Sequence, residues 1–302
     1  MPVAPRRPED LCGKVFRVSV AVAAGRLSPR EPRSPAWRRL FRDVYACADL
    51  PVTHELRALA VARLLVPASA ISGRSAAVLW AFRSPRDDDV ELTVPAGANV
   101  CRMPGLRVRR RTLEPAELTV RRGASVTTPE VTAIDLAREG TLDDAVVLFD
   151  RFVEARVTNL ERLRVVAAGV SGRGCRQVRR ALELADGLAG SPPETRLRLV
   201  LHRSTLPNPV AQFTVRDAAG LVARVDFGWP DVKVAVEYEG AWHGESRQQV
   251  AADRRRLNRL TAAGWTVVFV TAADLHDPEA LLARIAAALV RASVGLSSSQ
   301  RG

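Results

Sequence analysis

The chain of 302 residues lacks any uninterrupted run of the roughly 20 apolar residues that a helix needs to cross a bilayer. The longest apolar stretch near its N-terminus, 18–24, is short, contains Ser19 and is followed by no obvious cleavage site. The four cysteines lie far apart without zinc-ligand spacing, which disfavours bound zinc and structural disulfides. We therefore expect a cytoplasmic protein without a membrane partner.

Lysine is nearly absent as well, since only Lys14 and Lys233 occur and arginine supplies almost all of the positive charge. Lys and Arg number 45 against 33 Asp and Glu, which gives a formal net charge of +12. Part of the arginine excess can reflect genomic composition, because Ala and Val are heavily used too. A chain this basic is nevertheless attracted to polyanions, so nucleic acid, and DNA first, is the expected partner.

Hydrophobic residues make up 47% of the chain, which is enough for two folded domains. Residues 1–50 fit a degenerate winged helix or an N-terminal helix docked on the next domain. Thr53 and Ser72 are N-cap candidates for two helices, the second of which runs to Phe82. With the alternating strands that follow, these helices predict an α/β domain over 51–188. Seven arginines against two glutamates between Arg102 and Arg122 indicate a solvated strand pair or a surface that contacts nucleic acid.

A different pattern follows the turn signal of Gly and Pro residues at 190–193. Residues 189–293 predict a compact αβββαβα unit, a small mixed sheet with helices packed on it, and 294–302 predict a disordered tail. The fold class expected for the whole chain is therefore α/β (α+β). The predicted elements are a helix at 194–202, strands at 212–216, 221–227 and 233–239, a helix at 246–263, a strand at 265–270 and a helix at 278–291.

Strand alternation gathers acidic residues in this unit. It places Glu237 and Glu239 on one face of the third strand, about 7 Å apart, and Asp226 on the face of its strand opposite Val225 and Phe227. If Asp226 points toward the two glutamates, three acids converge and their repulsion requires a cation. Hard oxygen ligands suit Mg²⁺ or Mn²⁺, which beside a basic protein indicates phosphodiester hydrolysis. The alternative is a pair of glutamates that simply face solvent.

An ordered series of motifs here resembles a known family. The likeness is to domain of unknown function 559, which is similar to the very-short-patch-repair endonucleases of the PD-(D/E)XK nuclease superfamily, and it implies a restriction-endonuclease-like nuclease domain. It spans roughly 191–289. The motifs are Arg224-Val-Asp226-Phe-Gly-Trp-Pro230, Val236-Glu237-Tyr-Glu239-Gly240-Ala-Trp242-His243, Asp253-Arg-Arg-Arg256, Gly264-Trp265 and Asp274-Leu275.

The resemblance implies that Asp226 and Glu237 are ligands of Mg²⁺ or Mn²⁺ and that Glu194, Glu239 and His243 are catalytic. Glu239 stands where the superfamily usually has its lysine. The site then either uses Glu239 as a base or second-metal ligand with His243 as the general acid, or it is catalytically dead and only binds nucleic acid.

Several of these residues have structural alternatives. Glu194 lies at capping-box spacing from Ser191, so it can simply satisfy a helix N-terminus. The resemblance gives supporting roles to Gln249, Asp253 and Arg256, whereas the last two, one turn apart, also suit a purely structural ion pair. A literal Asp-x-Lys match at 231–233 lies too close to Asp226 for the family spacing, and we interpret it as coincidental.

A second resemblance covers the upstream part of the chain. Its motifs are similar to those of AbiEi-family type IV antitoxins, which are transcriptional regulators of abortive-infection toxin–antitoxin systems. This likeness implies DNA binding and a cognate toxin as a partner. The motifs are Trp37-Arg-Arg-Leu-Phe, Ile71-Ser-Gly-Arg-Ser-Ala76, Val90-Glu-Leu-Thr-Val-Pro95 and Val126-Thr-Thr-Pro129.

Two functional hypotheses follow. The first is a metal-dependent DNA endonuclease linked to DNA repair, phage defence or toxin–antitoxin regulation. The alternative is a non-catalytic DNA-binding regulator or antitoxin with a degenerate nuclease fold. Divalent-ion binding separates the two, because a regulator has no need of Mg²⁺, whereas its DNA affinity falls steeply with salt. No feature of the sequence separates cleavage of DNA from cleavage of RNA.

Overall fold

A computed structural model describes residues 7–80, 82, 89–218, 220–240 and 247–299. The chain forms two compact units, a first unit of Met1–Glu139 with Val165–Val170 and a second unit of Gly140–Arg164 with Ser171–Gly302. Helices and sheets occur in both, which confirms the predicted α/β (α+β) class. Within the described ranges, no helix is both long enough and apolar enough to span a membrane.

The described residues contain twelve β-strands in three sheets. The sheet orders are β1-β3-β2, β6-β5-β4-β8-β7 and β12-β11-β10-β9. The strands are β1 (Val15–Arg17), β2 (Trp37–Phe41), β3 (Val44–Cys47), β4 (Ala70–Ile71), β5 (Val90–Val94), β6 (Leu106–Arg110), β7 (Leu118–Arg121), β8 (Ala124–Thr127), β9 (Val210–Asp217), β10 (Gly220–Trp229), β11 (Val234–Tyr238) and β12 (Thr266–Val270).

Ten α-helices accompany them in the same ranges. A π-helical turn, Val61–Leu65, continues the second helix. The helices are α1 (Val18–Ala23), α2 (His54–Ala60), α3 (Gly73–Leu79), α4 (Pro129–Ala137), α5 (Leu142–Glu154), α6 (Leu160–Ala168), α7 (Cys175–Leu184), α8 (Pro192–Arg203), α9 (Arg247–Ala262) and α10 (Pro278–Ser299).

The N-terminal segment contains a small sheet with a hairpin. β2 and β3 pair antiparallel, and Asp43 adopts a left-handed φ of 64° in their turn. This hairpin lies where the winged-helix hypothesis expects a wing. Between residues 7 and 53 of the described chain the only α-helix is α1, which has six residues. The helical part of a winged helix is therefore short, and the assignment stays a prediction, as do the other domain boundaries.

The two helices predicted from N-cap candidates in the middle of the chain both form, but only one of them has a side-chain cap. The Thr53 hydroxyl accepts the Leu56 amide at 3.1 Å, and it begins α2 as predicted. Ser72 does not cap α3 with its side chain, because its hydroxyl accepts that of Thr93 at 2.9 Å in the buried interior. The predicted helix to Phe82 ends three residues earlier, at Leu79.

The basic stretch Arg102–Arg122 is not a free cationic face. Its arginines belong to β6, β7 and the segments that flank them. Three of them form ion pairs within the first unit, which are Arg109 with Glu139, Arg111 with Asp135 and Arg122 with Glu55. The guanidinium of Arg121 lies over the ring of Trp80. Ion pairs thus reduce the net positive charge of this stretch, and its role as a nucleic-acid surface stays a prediction.

The second unit has the predicted order of elements, α8-β9-β10-β11-α9-β12-α10. β10 pairs antiparallel with β9 and β11, and β11 pairs parallel with β12. The parallel pair needs a crossover, and α9 supplies it. One face of the sheet carries Val234, Val236 and Tyr238 of β11 against α8 and α10, so the predicted alternation in that strand is confirmed.

Alternation fails in β10, which corrects one prediction. Phe227 packs in the cluster under α8 and α10, whereas Val225 packs in the cluster under α9. The expected common face of these two residues is therefore wrong. Gln212, which lies across from the intervening Asp226, has a left-handed φ of 52° in β9. The backbone irregularity at this point switches the faces of both strands.

Candidate functional site

Three acidic residues predicted for the site come together at the centre of the second unit. Glu194 lies in the first turn of α8, Asp226 in β10 and Glu237 in β11. The register that pairs Phe227 with Val236 continues to place Asp226 across from Glu237. We call Glu194, Asp226 and Glu237 the acidic cluster.

Asp226 is half-buried, and among the described residues no cationic side chain contacts it. Its Oδ2 accepts the backbone amide of Tyr238 at 2.8 Å, and the side chain of Gln212 also donates to it. Burial first, and the charges of Glu194 and Glu237 with it, raise the pKa of Asp226 to about 6, against the opposing effect of those hydrogen bonds. The carboxylate is thus held in a site that favours its neutral form.

Glu237 has a cationic partner from α9. The guanidinium of Arg256 donates to its two oxygens at 2.5 and 2.9 Å, and it also donates to Asp253 at 2.8 Å. Glu237 is only 8% exposed, so this bidentate pair is largely shielded from water. Hydrogen bonds to Glu237 first, and to Asp253 second, raise the pKa of Arg256 above its ordinary value, so it stays cationic. These contacts are compatible with both roles considered for Arg256 and Asp253, which are support of the site and a structural ion pair.

Glu194 caps the helix that it begins, as its sequence position allows, and its catalytic role stays a prediction. Its Oε2 accepts the Gly190 amide at 2.8 Å and its Oε1 accepts the Ser191 hydroxyl at 2.8 Å, so it stabilises the N-terminus of α8. It also lies close enough to Asp226 to raise the pKa of that carboxyl. Gln212 joins the two, because its amide donates to Glu194 at 3.4 Å.

The place of Gln212 beside these acids could not be predicted from the sequence. An isolated glutamine in a strand does not indicate a site. Its backbone is left-handed, and its side chain bonds to Glu194 and Asp226.

The other predicted residues have different outcomes. The half-buried Glu239 follows β11, and its amide donates to the Val270 carbonyl at 2.7 Å. His243 lies outside the described residues. Gln249 is part of α9, and its side chain is likewise not described. Lys233 precedes β11 and donates to the Ala263 carbonyl at 3.1 Å, about 13 Å along the strand from Glu237. This placement agrees with a coincidental Asp-x-Lys match.

The acidic cluster has the right donor type for Mg²⁺ or Mn²⁺ but not a free donor set. Carboxylate oxygens are the preferred ligands of both ions. The oxygens of Glu237 are occupied by Arg256, and those of Glu194 by the start of α8. Across the described ranges, no three or more His, Cys, Asp or Glu side chains form a group that could hold a metal ion. The described residues therefore do not fit a preformed metal centre, and a guanidinium supplies the positive charge.

Comparisons with known proteins find an antitoxin domain and mycobacterial relatives. The family model of the AbiEi antitoxin C-terminal domain matches residues 81–187. Two uncharacterized proteins from different strains of Mycobacterium tuberculosis, MT2308 and Rv2248, are each 33% identical over 221 residues, which are 72% of this chain and 80% of the relative.

Among solved structures, the RV2827C protein from Mycobacterium tuberculosis is 16% identical with a TM-score of 0.38 over 66% of this chain and 76% of that chain. This similarity is too low to compare folds.

The family match confirms the antitoxin-like resemblance of the upstream part at 81–187. The likeness to domain of unknown function 559 stays a prediction.

Proposed function

Because the chain belongs to one family with these two mycobacterial proteins and contains an AbiEi antitoxin C-terminal domain, we propose that it is a DNA-binding regulator of the antitoxin type without catalytic activity. The observation that carries the proposal is the antitoxin match over 81–187. The net charge of +12 suits a polyanionic partner. A cognate toxin is the protein partner that this proposal includes.

The geometry of the acidic cluster supports a non-catalytic role. Hydrolysis of a phosphodiester by this cluster would need a divalent ion to polarise the phosphate. Arg256 already neutralises Glu237 through both oxygens, so Glu237 needs no such ion to balance its charge. Glu239 adds no positive charge at the position where the resemblance expects lysine.

The proposal predicts DNA binding that does not depend on metal. We expect the purified protein to bind a labelled duplex in EDTA at least as tightly as in Mg²⁺, which competes for the phosphates, and log K to fall linearly with log salt by about 0.9 per phosphate contacted. Fluorescence anisotropy at four or more salt concentrations measures this. A protein that shows no affinity for DNA at low salt, or binds only with Mg²⁺, would contradict the proposal.

A metal-dependent nuclease is the second candidate, because Glu194, Asp226 and Glu237 converge from three elements. Its test is incubation with supercoiled plasmid and single-stranded DNA in Mg²⁺, Mn²⁺ or EDTA. Asp226→Ala removes the central acid, and Asp231→Asn is a matched control at the coincidental motif. The regulator proposal predicts binding without cleavage in every metal. Cleavage that needs both metal and Asp226, but not Asp231, would establish a nuclease instead.

A further inference from the structure

A two-stranded ribbon of β9 and β10 extends beyond the rest of the sheet in the second unit. β9 pairs with β10 from Gly228 back to Gly220, whereas β11 pairs only with Phe227–Trp229 at the other end of β10. β9 is also the edge strand of its sheet. Half of the ribbon therefore has no third strand beside it.

One face of this ribbon is covered and the other is open. Phe213, Val215, Ala223 and Val225 pack under α9 with Leu257 and Leu260. The residues that alternate with them, Thr214, Arg216 and Arg224, are exposed and lie on the opposite face. We call these three residues the hairpin face.

The hairpin face brings two arginines together. Thr214 pairs directly with Arg224, and Arg216 is two residues farther along β9. The two arginines are therefore diagonal cross-strand neighbours, about 7–8 Å apart at their Cβ atoms.

Within the described residues, no carboxylate balances this pair of charges. The acidic residue at the end of β9, Asp217, accepts Arg259 of α9 at 2.9 Å. In the part of the chain that the structure describes, neither Arg216 nor Arg224 has an ion pair or a side-chain hydrogen bond. This arrangement contrasts with the Arg102–Arg122 stretch, where internal acids hold most of the guanidinium groups. Two adjacent unpaired arginines on an exposed strand pair repel each other, and a polyanion removes that cost.

We propose that Arg216 and Arg224 bind two neighbouring phosphates of a DNA backbone along the hairpin face. The proposal rests on the DNA-binding function above and adds the surface that performs it in the second unit. Guanidinium groups bind phosphate oxygens in a bidentate manner, which suits this role.

The test compares salt dependence of DNA binding between matched double variants. For Arg216→Ala with Arg224→Ala, we expect the magnitude of the slope of log K against log salt to fall by about 1.8, which is two phosphate contacts on duplex DNA. Affinity at low salt should drop by about tenfold or more. The measurement uses the full chain, a labelled duplex and EDTA, so that binding is read independently of any cleavage.

Two further variants make the result specific. Arg196→Ala with Arg203→Ala removes the same charge from α8, where Asp144 and Asp143 already pair with these arginines, and the slope should stay unchanged. Arg216→Lys with Arg224→Lys keeps the charge and should keep the slope.

An alanine double variant that binds with the wild-type slope would overturn the hairpin face while the regulator function stands. Absence of all DNA binding by the wild type would overturn both.

Discussion

Replacement of Arg256 by alanine is expected to lower the free energy of unfolding by about 3 kcal/mol. The variant leaves Glu237, which is 8% exposed, as a charged group without its bidentate partner. Removal of one member of a buried ion pair costs more than the pair contributes, because the remaining charge has lost its compensation. Arg256 is itself 31% exposed, which places the loss at the lower end of the usual range.

Urea denaturation followed by tryptophan fluorescence measures this loss, with Arg255→Ala as its matched control. Arg255 is the exposed neighbour on the same helix, and its removal should change stability by less than about 0.5 kcal/mol. Adding Glu237→Gln to Arg256→Ala should recover much of the stability, because the buried charge disappears with its partner. Equal stability of the Arg256 and Arg255 variants would show that the ion pair is unimportant for the fold.

Asp226→Asn is expected to stabilise the protein at pH 8 by about 2 kcal/mol. Burial raises the pKa of Asp226 to about 6 from an ordinary 3.8, so the folded state binds this proton more tightly than the unfolded state. The stability that proton binding gives is complete below pH 3.8 and is lost as the pH rises through 6. Asparagine is neutral throughout and can still accept the Tyr238 amide through its Oδ1.

The pH dependence of the difference between the two proteins is the decisive measurement. Thermal or urea unfolding at pH 4, 6 and 8 should show nearly equal stabilities at pH 4 and the full gain for Asp226→Asn at pH 8. Asp231→Asn, at an exposed position before β11, should follow the wild type at every pH. A gain that does not vary with pH, or a loss at pH 8, would contradict the raised pKa.

Much of the second unit could be predicted from local patterns. Helical and strand periodicity and the turn signals at 190–193 and Gly264 predict every element from α8 to α10 in the right order. Alternation in β11 correctly separates Val234 and Val236 from Glu237. Capping-box spacing correctly locates the start of α8 at Ser191. These features depend on residues a few positions apart, which is the range over which periodicity and capping act.

The sequence by itself determined the αβββαβα order and the presence of several acids on adjacent strands. Only the tertiary structure decided what those acids do, because their partners are distant in sequence. The choice between a metal ion and Arg256 as the cation for Glu237 depends on a contact 19 residues apart between β11 and α9.

The left-handed Gln212 and the face switch at Asp226 likewise arise from the packing of both core clusters. Arginines that look alike in the sequence differ in their ion pairing for the same reason. The distance to an acid in the folded chain determines which guanidinium groups are paired and which are not.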